Sequence, residues 1–136
     1  MKLIKLLLLL VSCMLFTACS TNMGLREEFE SSMKAYNRML RWHEIENAGM
    51  TYIEKEQRDD FMKKAESMKK KGITLTDYRI LTFECLPEKK TAEVIAEFDY
   101  FILPSNRVKT ITYRQEWLYQ DLSKNWKLKS VLPSFD

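Results

Sequence analysis

The feature that most constrains this chain is a change of period at Gly72. Before it, from Leu25 to Lys71, apolar residues recur three and four apart; after it they recur at every second position. The first spacing marks helices with one buried face, the second strands with one buried face. Helical patterns come first and strand patterns follow without alternation, which argues against a parallel βαβ sheet. The expected fold class is therefore α+β, with N-terminal helices covering one face of a four-stranded antiparallel sheet.

In the helical part, Phe29, Met33, Tyr36, Leu40 and His43 follow one another at four, three, four and three, with Met39 and Trp42 widening the stripe. Arg26, Glu27, Lys34, Arg38, Arg41 and Glu44 fall largely on the other side. Asn47-Ala48-Gly49 is expected to interrupt this helix, since Asn and Gly are common at helix ends. Ala48 to Ile53 reads as a short helix or a turn anchored by Tyr52 and Ile53. A further helix begins near Gln57, with Asp59 and Asp60 in its first turn and Phe61, Ala65 and Met68 on one face. Lys69-Lys70-Lys71 complements its C-terminal dipole and Gly72 supplies the stop. The lysine run thus reads as a solvated helix end in preference to a lipid-headgroup contact.

Strands are expected over Tyr78 to Cys85, led in by Ile73-Thr74-Leu75, and over Thr91 to Leu103, Val108 to Tyr119, and a last strand in which Trp126, Leu128 and Leu132 alternate with lysines. Ala92, Val94, Ala96, Phe98, Tyr100 and Ile102 share one face of the second strand. Ile111, Tyr113, Trp117 and Tyr119 share one face of the third.

Ahead of Leu25 the composition is different. Lys2 and Lys5 precede an apolar run from Leu6 to Phe16, shorter than the roughly 20 residues of a spanning helix, and Leu15-Phe16-Thr17-Ala18-Cys19 gives way at once to Ser20-Thr21-Asn22. This resembles the lipobox of bacterial lipoproteins, with Phe16 standing where the family most often has Leu. The resemblance implies cleavage after Ala18 and lipidation of Cys19 by palmitate-type chains. It divides the chain into residues 1–18 as signal peptide, 19–24 as lipidated cysteine and tether, and 25–136 as the folded domain. Two acyl chains suffice for stable anchoring. Ser20 stands where an aspartate would resemble an inner-membrane retention signal, so the expected location is the outer membrane, facing the periplasm. An uncleaved N-terminal helix and an ordinary secretory peptide leaving Cys19 free are the alternatives, and both still export the domain.

The chain has 22 Lys+Arg against 19 Asp+Glu, and two of the lysines lie in the signal, so the remainder is nearly neutral and no nucleic-acid face is implied. Cys13 leaves with the signal and Cys19 takes lipid, so Cys85 has no disulfide partner and is expected as a small buried hydrophobe. No cofactor or metal is expected. His43-Glu44-Ile45-Glu46-Asn47 has Asn where a zinc-protease helix needs its second histidine, three glycines offer no phosphate loop, and no serine or threonine sits in a nucleophile motif.

The element order, together with the strands Gln115-Glu116-Trp117 and Asn125-Trp126-Lys127-Leu128, resembles the nuclear transport factor 2-like superfamily over roughly Leu25 to Leu132. The resemblance implies a curved sheet wrapped on the first helix as a cone, whose interior is a filled core, a ligand pocket or an active site. Its members include isomerases, dehydratases, transport adaptors and envelope assembly proteins, so the fold does not select the function. In isomerase-like members a carboxylate and a tyrosine reach into the cone, which makes Tyr36 and Asp99 the pair of interest. His43, the only histidine, is a candidate acid or base, with Asp99 or Glu97 as partner, although a packed or capping role is the simpler reading. Two functions follow as expectations. The leading one is non-catalytic binding of an envelope protein through an exposed sheet face carrying Arg114, Glu116 and Tyr119. The alternative is a small-molecule binder or isomerase/dehydratase-type enzyme using Tyr36, His43 and Asp99, which a cone filled by Phe29, Leu40, Phe98 and Trp117 excludes. A homodimer through the sheet is compatible with either.

Overall fold

A computed structural model describes residues 1–11 and 21–136 with their side chains. Its order is α1 (Lys2–Arg41), α2 (Ile45–Tyr52), a 3-10 turn (Lys55–Gln57), α3 (Arg58–Lys71), β1 (Ile73–Leu86), a second 3-10 turn (Pro87–Lys89), β2 (Thr91–Ile102), β3 (Lys109–Gln120) and β4 (Asn125–Leu128). The strands form one sheet in the order β1-β2-β3-β4, each pair antiparallel. The α+β arrangement with helices on one face is the one expected from the change of period at Gly72.

The core lies between α1 and the inner sheet face. Phe29, Met33, Tyr36 and Leu40 from the helix stripe are buried against Val94, Ala96 and Phe98 of β2, Tyr113 and Trp117 of β3, and Trp126 and Leu128 of β4. Phe29 meets Trp117 and Trp126 edge-on at centroid distances of 6.0 and 5.3 Å. Trp126 donates its indole N–H to the Leu25 carbonyl at 2.9 Å, which ties the start of the packed stretch to β4. Truncating a fully buried aromatic such as Phe29 costs about 3–5 kcal/mol, so this stripe carries much of the stability.

Helix α1 ends earlier than the pattern predicts. It stops at Arg41, and Asn47-Ala48-Gly49 lies inside α2. Glu44 N–H bonds to the Met39 carbonyl at 2.9 Å and His43 N–H to the Leu40 carbonyl at 3.1 Å, while His43 has φ 63°. Those two bonds and the left-handed residue make a Schellman stop, usually marked by glycine. Because histidine fills that position, the stop is invisible to a search for Gly or Asn. Trp42 and His43 leave the apolar stripe as a result, and Trp42 is exposed with the Arg41 guanidinium over its ring. Gly49 serves close packing instead: a Cβ there would lie 2.6 Å from the Phe61 ring of α3.

At its other end α1 includes residues 21–24, so the helix read from Leu25 reaches into the stretch expected as a tether. The apolar residues from Leu3 to Val11 are each at least 54% exposed and pack against nothing in the body. Cys13 and Cys19 lie outside the described residues. Among the described residues no helix is long and apolar enough to cross a membrane.

The sheet is bent by β1. Its register against β2 shifts between Leu75 and Asp77 and again between Ile80 and Thr82, leaving Thr76 and Leu81 as extra residues. Bulges of this kind bend and twist a strand. They turn Tyr78, Ile80, Phe83 and Cys85 to the core side and leave the bulged Leu81 half exposed. The last strand is shorter than expected, ending at Leu128, with Leu132 in irregular chain.

Candidate functional site

Three places combine polar chemistry with shape, and each follows from strand or helix spacing. The first is inside the core. Tyr36 and Asn37 are successive residues of α1, and Tyr113, Gln115 and Trp117 alternate along the inner face of β3. The Tyr36 and Tyr113 hydroxyls are 2.8 Å apart. Asn37 and Gln115, both fully buried, exchange amide bonds: Gln115 Nε2 donates to Asn37 Oδ1 at 2.7 Å, and Asn37 Nδ2 donates to Gln115 Oε1 at 3.3 Å and to the Met33 carbonyl at 2.8 Å. Trp117 Nε1 donates to Gln115 Oε1 at 3.3 Å. Burial, and then the neighbouring phenol, push the Tyr36 hydroxyl well above its ordinary pKa, and burial pushes Tyr113 up as well. Neither phenol can serve as a base near neutrality. Phe29, Leu40, Phe98 and Trp117 surround this network with at most 1% exposure, so the space between α1 and the sheet is filled.

The second place is the end of α1. His43 is exposed, and its Nε2 lies 3.1 Å from the Leu75 carbonyl, to which it donates. Beside it a groove of about 310 Å³ is floored by Ile45, Ala65, Met68, Ile73 and Leu103 and edged by Glu46, Lys69 and Thr74. Its size is at the lower limit for small-molecule pockets. Its polar groups sit on the rim.

The third place is the outer sheet face. Arg79 Nη1 donates to Asp99 Oδ2 at 2.9 Å, and Arg79 Nη2 donates to Asp99 Oδ1 at 3.2 Å and to Glu97 at 2.9 Å; Thr110 adds a bond to Asp99 at 2.7 Å. The Arg79 bonds, and then Thr110, hold the Asp99 carboxyl below the usual range. Farther along, Glu84, Glu93 and Glu116 are directly in register across three strands, and Arg114 bonds Glu93 at 2.7 Å. A depression of about 300 Å³ lies over them, with Leu118 and Lys129 among its walls. Among the described residues no group of three or more His, Cys, Asp or Glu is placed to hold a metal ion.

The residues singled out from sequence are therefore not brought together. Tyr36 is in the core, bonded to Tyr113. Asp99 is on the opposite face of the sheet, because odd-numbered β2 residues face away from α1. His43, expected on the stripe facing the sheet, is on a solvated turn, where its ring bonds the Leu75 carbonyl of β1. Of the expected contact surface, Arg114 and Glu116 lie on the outer face, but Tyr119 falls on the core side, edge-on to Trp126 at 5.6 Å. Cys85 is buried, and that burial raises its thiol pKa. The Asn37–Gln115 pair was not anticipated. Its only sequence signal is polar Gln115 on the apolar face of a strand and polar Asn37 beside the apolar stripe.

No family model matches the chain, and no curated protein matches it at a significant level. Among solved structures, the crystal structure of the intermembrane space region of chloroplast protein ARC6 is similar at a TM-score of 0.48 and 18% identity, over 76% of this chain and 97% of that one.

Proposed function

We propose that the chain is a lipid-anchored envelope protein of the nuclear transport factor 2-like type, held to the outer membrane through acylated Cys19, whose domain binds another envelope component without catalysis. The observation that carries the anchor is the apolar run from Leu3 to Val11, which leads toward Leu15-Phe16-Thr17-Ala18-Cys19 and takes no part in the folded body. An apolar segment that the domain does not bury needs another apolar environment. The separation of Tyr36, His43 and Asp99 supports a binding role over the isomerase-type alternative, since general acid–base chemistry needs its groups within hydrogen-bond reach of one substrate. The contact surface offered is the outer sheet face around Arg114 and Glu116.

Metabolic labelling with palmitate in a bacterial host tests the anchor. Label on the wild-type chain that is lost in Cys19→Ser, with transfer of the protein to the soluble fraction, is the expected result; an unlabelled wild type overturns it. For the surface, Arg114→Glu is expected to abolish a crosslinked partner with the fold intact, and unchanged crosslinking removes that face from consideration.

A further inference from the structure

After β4 the chain has no regular structure, yet it is firmly seated. Leu132 and Phe135, three residues apart, are 1% and 4% exposed, while Ser134 between them faces solvent. The Phe135 ring stands edge-on to Tyr100 at the far end of β2, with centroids 4.9 Å apart.

The backbone of this segment is held by side chains. Its last backbone–backbone bond is Lys129 N–H to the Glu116 carbonyl, and among the described residues none follows. Instead Lys64 of α3 donates to the Leu132 carbonyl at 2.9 Å, Tyr100 of β2 to the Asp136 main-chain carbonyl at 3.0 Å, and Lys109 of β3 to the same carbonyl at 2.6 Å. Chain that belongs to a sheet is held by a ladder. Chain bound in a groove is held by pockets for a few anchor side chains and by polar groups that bond its main chain. Here a groove between α3 and the end of the sheet treats residues 130–136 in the second way.

The groove has room left. A cavity of about 210 Å³ remains beside the segment, lined by Lys64, Ser67, Met68 and Lys71 of α3 and by Ile73 at the start of β1. Apart from the segment itself, its charged walls are lysines, and Lys109 adds a third at the Asp136 end.

We propose that this groove is a peptide-binding site, occupied in cis by Ser130–Asp136 and able to accept in trans a segment of another protein that lacks regular secondary structure. The partner segment carries a leucine and an aromatic residue three apart, with acidic side chains beside them to meet Lys64, Lys71 and Lys109. The resident segment then acts as a tethered competitor: it lowers the apparent affinity for the partner by the fraction of time the groove is open. This inference does not depend on lipidation of Cys19.

The test begins with the intact folded chain and carboxypeptidase Y. Trimming is expected to proceed into residues 130–136 and stop there, with near-ultraviolet circular dichroism of the aromatic core retained. A fluorescent peptide spanning Ser130 to Asp136 is then expected to bind the trimmed chain about tenfold or more tighter than the intact chain, the ratio for a groove closed at least nine-tenths of the time. The same peptide carrying Leu132→Ala and Phe135→Ala is expected to lose that binding. Three results overturn the proposal: resistance to trimming until global unfolding, loss of the aromatic signal on trimming, or a trimmed, folded chain that does not take up the peptide.

Discussion

Replacing Asn37 and Gln115, separately and together, by apolar residues of similar shape tests how the core is specified. In Asn37→Leu, Gln115 Nε2 loses its 2.7 Å acceptor, while Gln115 Oε1 still accepts from Trp117. One buried donor left unpaired costs about 2 kcal/mol. In Gln115→Met, both Asn37 Oδ1 and Trp117 Nε1 lose their partners, and two unpaired groups raise the cost to about 3–4 kcal/mol. The double variant leaves only the indole N–H unpaired, because Met33 keeps its own helical bond, so its cost falls to about 1–2 kcal/mol. The singles therefore sum to far more than the double, with a coupling of about 4 kcal/mol. The assay is urea unfolding of all four chains, followed by far-ultraviolet circular dichroism and tryptophan fluorescence. If the double costs as much as the two singles together, the amides act independently and the paired network described here is wrong. If Asn37→Leu shifts stability by less than about 0.5 kcal/mol, Gln115 has found another partner and its burial has been misjudged.

Two further perturbations address local features. Gly49→Ala places a methyl group 2.6 Å from the buried Phe61 ring, so α2 and α3 must separate, and overpacking of this kind costs about 1–3 kcal/mol; a midpoint equal to wild type in urea refutes the close approach. The Asp99 carboxyl is held below its ordinary range by Arg79 and Thr110, so its contribution is fully present above the unfolded aspartate value of about 4 and is lost as pH falls through the lower folded value. Wild type is expected to exceed Asp99→Asn in stability at neutral pH and to converge with it in acid, whereas a gap that persists unchanged in acid contradicts the ion pair as its source.

The change of period at Gly72 determined the fold class from sequence, because side-chain direction repeats at 3.6 residues in a helix and at two in a strand. The buried stripe Phe29, Met33, Tyr36 and Leu40 and the inner face of β2 were legible for the same reason, as was the lysine-capped end of α3 at Gly72.

Tertiary structure decided the rest. The stop of α1 depends on His43 adopting a left-handed backbone, a choice that packing imposes and composition does not announce. That stop moved the only histidine from the core stripe to a solvated turn. The face on which Asp99 sits follows from strand parity, but only the three-dimensional arrangement shows Tyr36 across the sheet from it. The first bulge of β1 shifts the residues after it to the opposite face and the second restores them, so parity counted from Leu75 misplaces Tyr78 and Ile80 but not Phe83 and Cys85. Of residues 130–136 only Leu132 carried an expectation, as part of the last strand, and the structure places it in irregular chain instead. Their burial comes from contacts with Lys64, Tyr100 and Lys109, which are distant in sequence and meet only when α3 and the ends of β2 and β3 converge.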